Sequence, residues 1–276
     1  MGTIVSFHAH PDDESIATGG LLARAADAGH RVVLVFGTRG ELGEPVPGSL
    51  ADGEQLTLRR TQECFNSAQV LGVPRVEFLG WTDSGMIGLP TNDVPWCFWQ
   101  ADVEHAASRL ALILREEEAD LITIYDDNGG YGHPDHIQVH RVGQRAAELA
   151  GVPVVAQSTM NRDHMGRAMA RASEFGMDLP DEVAERMEQV EKAEEAPDFG
   201  KPESELTHVV DVSSVTERKR ASMRSHASQI GADHFMASMP DEAFNYVFGS
   251  EWFIVSTLPD ADAPSVFTDF FTPIRP

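Results

Sequence analysis

The feature that most constrains this chain is an alternation. Short runs rich in β-branched residues at 3–7, 31–36, 75–79, 121–125 and 153–156 are separated by helix-length patterns at 14–28, 54–71, 101–118 and 137–150. Apolar strands taking turns with helices predict a mostly parallel sheet covered on both faces. Gly29, Gly72 and Gly151 each follow a helical pattern, at the position where a residue able to take positive φ is wanted.

The second half reads differently. Residues 161–206 are charged, helix-prone and poor in strand signal, with a dense acidic run at 182–195; a solvated helix or lid is the better reading than a partner-binding tail. Strand character returns at 207–212 and 251–257, with a helical stretch at 215–229 between them. The expected fold is therefore α/β, Rossmann-like, with helices on both faces of a mostly parallel sheet and a C-terminal extension or flap. Residues 1–160 form the catalytic core in this reading, and 161–276 a helical insertion and sheet extension of the same domain, a size that 276 residues accommodate.

Composition narrows the partners. The formal net charge of −23 repels nucleic-acid phosphates and anionic membranes at long range, although a few local arginines can still hold a phosphorylated substrate within a Debye length of about 10 Å. No run approaches the length of a membrane span. The N-terminus lacks a basic segment followed by an apolar one, so a cytoplasmic location is expected. Cys64 and Cys97 stand far apart in no metal-type spacing and read as buried thiols of a reducing compartment. No pattern encodes the oligomeric state, so a homo-oligomer stays open.

The chemistry lies at two strand-to-helix turns. The strand at 3–7 runs into His8-Ala9-His10-Pro11-Asp12-Asp13-Glu14, and the strand at 121–125 runs into a loop ending Tyr131-Gly132-His133-Pro134-Asp135-His136. Ligands of open α/β sheets bind at the carboxyl ends of strands. A nucleotide site there would carry a glycine-rich phosphate loop, whereas these turns carry imidazoles and carboxylates and point to a cation. Asp12, Asp13 and Glu14 taken separately suit any helix N-terminus. Two histidine–carboxylate clusters at the ends of strands able to be neighbours suit a catalytic metal site of three protein ligands and one open position.

These motifs resemble those of the PIG-L/LmbE family of zinc-dependent N-deacetylases. Residues 38–43, 58–63, 80–86 and 226–229 resemble further family segments, so the likeness covers about residues 1–160 and a weaker tail. The resemblance implies His10, Asp13 and His136 as zinc ligands and Asp12 as general base; the residues alone do not separate Asp12 from Asp13. It implies that His133 stabilises the oxyanion or protonates the leaving amine, that Tyr131 is a mobile residue near the reacting carbonyl, and that Arg60 and Asp83 contact the sugar. Zinc acidifies water and polarises an amide carbonyl; a carboxylate that is not a ligand accepts the water proton, and a positioned histidine stabilises the oxyanion. Whether Asp12 handles both proton transfers or shares them with His133 is left open.

Other histidines and carboxylates have two readings each. Asp135 either orients a histidine or caps a helix. His140 shares a helix face with His136 and lines the pocket or is structural. Strand alternation turns His8 away from the site, and for His226 helix packing is preferred over a reach into the site. A nucleophilic serine elbow and a Walker loop are both absent from the sequence, and a non-catalytic zinc or sugar-binding protein of the same fold is the remaining rival. The expected function is hydrolysis of an N-acyl, foremost an N-acetyl, group on a small-molecule amino sugar or glycoconjugate. The alternative is amide cleavage on a larger thiol or secondary-metabolite conjugate. Two histidines and one carboxylate suit Zn2+, and Fe2+ favours the same set.

Overall fold

A computed structural model of the chain describes residues 1–176, 199–257 and 263–274; the acidic run at 182–195 lies outside these residues. One eight-stranded sheet has the order β3-β2-β1-β4-β5-β7-β6-β8. Its strands are β1 (Thr3–His8), β2 (Arg31–Phe36), β3 (Arg75–Phe78), β4 (Leu121–Tyr125), β5 (Val154–Thr159), β6 (His208–Asp211), β7 (Ser250–Thr257) and β8 (Thr272–Pro273). The first five run parallel, as the alternation predicts. The C-terminal strands extend the same sheet through antiparallel pairs, β7 lying between β5 and β6.

Residues of period two divide between two cores, because successive side chains of a strand point to opposite faces. Val5, Phe7, Val33, Val35, Ile122 and Ile124 pack on the face covered by α4 (Val103–Glu116) and α5 (Pro134–Ala150). Ile4, Val32, Leu34, Phe36 and Leu121 pack on the other, against α2 (Gly19–Asp27) and α3 (Leu56–Leu71). Gly29, Gly72 and Gly151 all have positive φ, as their places after helices require.

The helix expected at 14–28 is broken in two. A five-residue α1 (Asp13–Ala17) precedes α2, and Thr18 between them has φ −136° and ψ 3°. The break has a physical reason. It frees the N–H groups of Gly20 and Leu21, which donate to the two carboxylate oxygens of Glu251 at 2.8 and 2.9 Å. Lys219 Nζ stands 2.5 Å from the same carboxylate, so the buried charge is paired. Gly20 also passes so near Val212 that a Cβ there would sit 2.4 Å from the valine Cβ. After β5 comes α6 (Arg162–Ala170); the expected helix at 215–229 is shorter, α7 (Thr216–Ser225), and is followed by α8 (Phe235–Ser238) and α9 (Asp241–Phe248).

β1 and β4 are neighbours, with Ile4, Val5 and Ser6 in register with Leu121, Ile122 and Thr123. From β1 the chain builds outward to β2 and β3; from β4 it builds the other way to β5. The seam between them is the point where strand order reverses, which is where open α/β sheets bind ligands.

Candidate metal centre

The turn after β1 is unusual in its backbone. Asp12 has φ 104° and ψ −32°, a conformation that costs a non-glycine residue about 1–3 kcal/mol. Just beyond it, Asp13 Oδ2 accepts the backbone N–H of His10 at 2.9 Å. The same oxygen lies 3.6 Å from His10 Nδ1 and 3.4 Å from His136 Nε2. Ligand atoms held about 2.0–2.2 Å from a tetrahedral ion stand roughly 3.3 Å apart, so these two separations from Asp13 are of that size; among the described residues, the groups whose ligand atoms all lie within 4.8 Å of one another are His10, His133 and His136, and His10, Asp83 and Asp135. Burial works against ionisation of Asp13, and the imidazoles of His136 and His10 outweigh it, holding the carboxyl well below its usual range.

The far side of His10 is also spoken for. Its Nε2 lies 3.2 Å from Asp135 Oδ2 and 3.5 Å from Asp83 Oδ1. Burial alone would lower the His10 pKa, but Asp83, Asp13 and Asp135 raise it well above the ordinary value. Imidazole between a ligand position and a carboxylate is the arrangement that fixes the tautomer of metal-binding histidines. Asp135 is fully buried and further anchored by the backbone N–H of Ser84 at 2.9 Å and by the Ser84 hydroxyl. It orients His10 and is not the helix cap. The cap of α5 is His133, whose Nδ1 accepts the Asp135 N–H at 3.1 Å. Burial, with His10 and His136 nearby, lowers the His133 pKa to about 3. Its ring is therefore neutral at physiological pH, with the proton assigned to Nε2 by that bond.

His136 lies in the first turn of α5, and the loop before it must come very close. A Cβ on Gly129 would sit 2.5 Å from the His136 Cβ and 2.7 Å from the Ile137 nitrogen, and Gly129 has φ 63°. Asp126, fully buried, ties this loop by accepting the N–H groups of Asn128 and Gly130 at 3.0 and 2.9 Å. Tyr131 at its tip is 42% exposed, with its hydroxyl 3.3 Å from His136 Nε2.

Asp12 stands beside the His10, Asp13 and His136 group but outside it. Burial pushes its carboxyl up to about 6 against the pull of Arg60, with Asp13 adding to the rise. Arg60 NH2 donates to Asp12 Oδ2 at 3.1 Å and to the Pro11 carbonyl, and NH1 donates to the Gly40 carbonyl at 2.9 Å. Its donors thus hold the turn that carries Asp12. Asp83 accepts the N–H groups of Gly85 and Leu42 at 2.8 and 3.2 Å. Both residues line a polar cavity of about 270 Å³ that includes His10, Asp12, Asp13, Tyr131 and His133. A second cavity of about 830 Å³ meets it at Asp12, Asp13 and Tyr131 and is walled by Met165, Phe175, Met239, Phe248 and Trp252 among others.

Three residues at the site escape sequence reasoning. Tyr125 stacks on His136, Asp126 ties the loop, and Ser84 anchors Asp135. The only signal for the first two is their place at the carboxyl end of β4. His140 proves structural, its Nδ1 3.0 Å from the Tyr125 carbonyl. His8 is bonded away from the candidate ligands, through Nδ1 to Tyr125 Oη at 2.8 Å and through Nε2 to Ser6 Oγ at 2.7 Å. His226 is fully buried and reaches the turn from behind, Nε2 2.6 Å from Glu14 Oε1.

The family model for PIG-L, GlcNAc-PI de-N-acetylase, matches residues 5–147, which span both turns. The chain belongs to the PIG-L family. A 1D-myo-inositol 2-acetamido-2-deoxy-alpha-D-glucopyranoside deacetylase of Thermomonospora curvata is 38% identical, over 91% of this chain and 89% of its own. The enzyme of the same name from Thermobifida fusca is 42% identical, over 81% of this chain and 82% of its own. Among solved structures, N,N'-diacetylchitobiose deacetylase from Pyrococcus horikoshii superposes with a TM-score of 0.60 at 20% identity, covering 92% of this chain and 84% of that one, a likeness of fold. This PIG-L member is accordingly a deacetylase, a hydrolase that removes an N-acetyl group from an amino sugar. Its α/β fold is the one expected from the alternation of strands and helices.

Proposed function

We propose that the chain is a zinc-dependent deacetylase whose substrate is an N-acetylglucosaminyl-inositol, the compound in the names of the relatives quoted above. The observation that carries the reading is the convergence on one Asp13 oxygen of His10 and His136 nitrogens at ligand spacing, with a second carboxylate, Asp12, held by Arg60 beside them. His10, Asp13 and His136 hold the ion in this reading. When bound, zinc supplies Lewis acidity, acidifying water and polarising a carbonyl oxygen; Fe2+ suits the same set.

The chain's own residues do the rest. Asp12, with a carboxyl raised toward neutrality, accepts the proton of the attacking water, since a base works best with a pKa near the working pH. His133, neutral and carrying its proton on Nε2, donates that N–H to the developing oxyanion. Its low pKa supports this role over delivery of a proton to the leaving amine, which falls to Asp12 once protonated. Tyr131, exposed at the tip of a glycine loop, closes on the reacting carbonyl. Arg60 and Asp83, in the wall of the polar cavity, contact the sugar, Arg60 while also holding Asp12.

A second reading has its own support. The larger cavity is mostly apolar among the described residues and far exceeds the needs of an acetyl group, which favours an amide of a larger apolar conjugate as a further substrate.

Release of free primary amine from a panel of N-acetylated amino sugars, before and after chelation and zinc restoration, tests the first reading. Loss with chelator, return with zinc, and highest kcat/KM for the inositol glycoside are the expected results. Amine release that ignores the chelator would overturn it. A higher kcat/KM for arylthio amide conjugates than for the inositol glycoside would select the second reading instead.

A further inference from the structure

The strained turn at Asp12 needs more than Arg60 to hold it. The backbone N–H of Asp12 donates to Glu14 Oε2 at 3.0 Å. Glu14 is fully buried, and its other oxygen, Oε1, accepts the hydroxyls of Ser15 at 2.8 Å and Ser67 at 2.5 Å and the Nε2–H of His226 at 2.6 Å. His226 lies 212 residues further along the chain, directly after α7, and is itself fully buried. Neither Glu14 nor His226 is among the residues lining either cavity. Whatever they do for catalysis is done through a neighbour.

We propose that Glu14 and His226 are positioning residues for the reaction: His226 fixes the Glu14 carboxylate, and Glu14, through the Asp12 N–H, fixes the left-handed turn that aims the Asp12 side chain. The inference rests on the reading of Asp12 as general base. One carboxylate oxygen serves the turn and the other gathers donors from α1, α3 and the C-terminal part of the chain. A rotation of Glu14 would break the Asp12 bond and release a backbone that has an easier conformation to fall into. The ligand atoms of Asp13 and His10 are held separately, by the bond between the His10 N–H and Asp13 and by Asp135, so the arrangement acts on the base and spares the ion.

The test compares His226→Ala, His226→Gln and Glu14→Gln in the full-length zinc-loaded protein, reading kcat, KM, zinc content and Tm on whichever acetylated amino sugar of the panel is turned over fastest. The loss expected for His226→Ala and Glu14→Gln is about tenfold to a hundredfold in kcat, the range for outer-shell partners, with KM changed by less than about twofold and zinc content intact. His226→Gln returns an N–H donor to Glu14 and restores most of kcat, which a purely fold-knitting role does not require. Wild-type kcat in folded, zinc-loaded His226→Ala would overturn the proposal, as would a loss that follows zinc content. If His226→Ala does not fold, Glu14→Gln and His226→Gln decide it on the same terms. A double-mutant cycle separates the two readings. In an Asp12→Ala background, adding His226→Ala costs nothing further if His226 acts through Asp12. A full second loss there overturns the positioning role and leaves Asp12 as base. An Asp12→Ala protein with wild-type rate overturns the base reading, and the positioning role falls with it.

Discussion

The phenol ring of Tyr125 lies flat against the imidazole of His136, with centroids 4.5 Å apart and planes 17° apart. Its hydroxyl meanwhile bonds His8 Nδ1 at 2.8 Å. One side chain thus supports a proposed ligand with its face and a buried polar network with its edge. Tyr125→Leu removes both and is expected to weaken zinc affinity about tenfold to a hundredfold, as loss of an outer-shell support does. Tyr125→Phe keeps the stack and leaves His8 short of a partner, so it is expected to cost about 1–3 kcal/mol of stability with near-normal zinc affinity. Zinc titration and urea unfolding separate the two; equal zinc affinities for the two variants would refute the supporting role of the stack.

Substitution of the proposed ligand and the proposed base should part metal from rate. His136→Ala is expected to lose bound zinc and activity together. Asp12→Asn is expected to keep its zinc and lose about 10²- to 10⁴-fold in kcat, the usual worth of a positioned general base. Elemental analysis alongside amine release checks both, and a fully active Asp12→Asn protein removes that residue from the role.

The acidic limb of the rate profile should belong to Asp12. Burial sets its carboxyl at about 6 in the metal-free protein, with Arg60 pulling downward. A base works ionised, so activity is lost as pH falls through the Asp12 pKa. A bound cation lowers that value further, placing the limb of the loaded enzyme at or below about 6. Arg60→Met removes the downward pull, and the limb is expected to move to higher pH. A limb that stays in place, in a variant still carrying zinc, would contradict the assignment.

Gly129, in the loop before α5, leaves no room for a side chain. Gly129→Ala must accommodate a Cβ 2.5 Å from that of His136 at φ 63°, and is expected to cost more than about 1 kcal/mol and to shift His136. Thermal unfolding and zinc affinity should fall together. A protein with unchanged Tm and zinc affinity would show that the loop can move aside.

The parallel core was legible because periodicity reports burial directly. Val33 and Leu34 could face two different cores only in a strand covered on both sides. The candidate site was legible because two histidine–carboxylate motifs follow the ends of β1 and β4, which the structure makes neighbours. What escaped needed tertiary knowledge. Gly19 and Gly20 weaken a helix just after Thr18, but the apolar period continues across them, and the acceptor that suits a break there, Glu251, lies 231 residues beyond Gly20. The place of β7, between β5 and β6 and antiparallel to both, follows from no local pattern. Asp135 suited a cap as well as an orienting carboxylate, until His133 took the cap. For His226 the preferred reading, helix packing, names the burial but misses its partner, because nothing near position 226 announces a carboxylate from the first turn of the chain.

The hydrogen bonds from Gly20 and Leu21 to Glu251, and from His226 to Glu14, also set an order of events during synthesis. A ribosome that has released residues 1–160 has delivered every proposed ligand and the base. Glu14 then lacks its histidine, and α2 begins with two N–H groups that have no acceptor. His226 completes the first turn and Glu251, in β7, completes the start of α2. The turn that carries Asp12 and the start of α2 are therefore fully partnered only after residues 226 and 251 have been made.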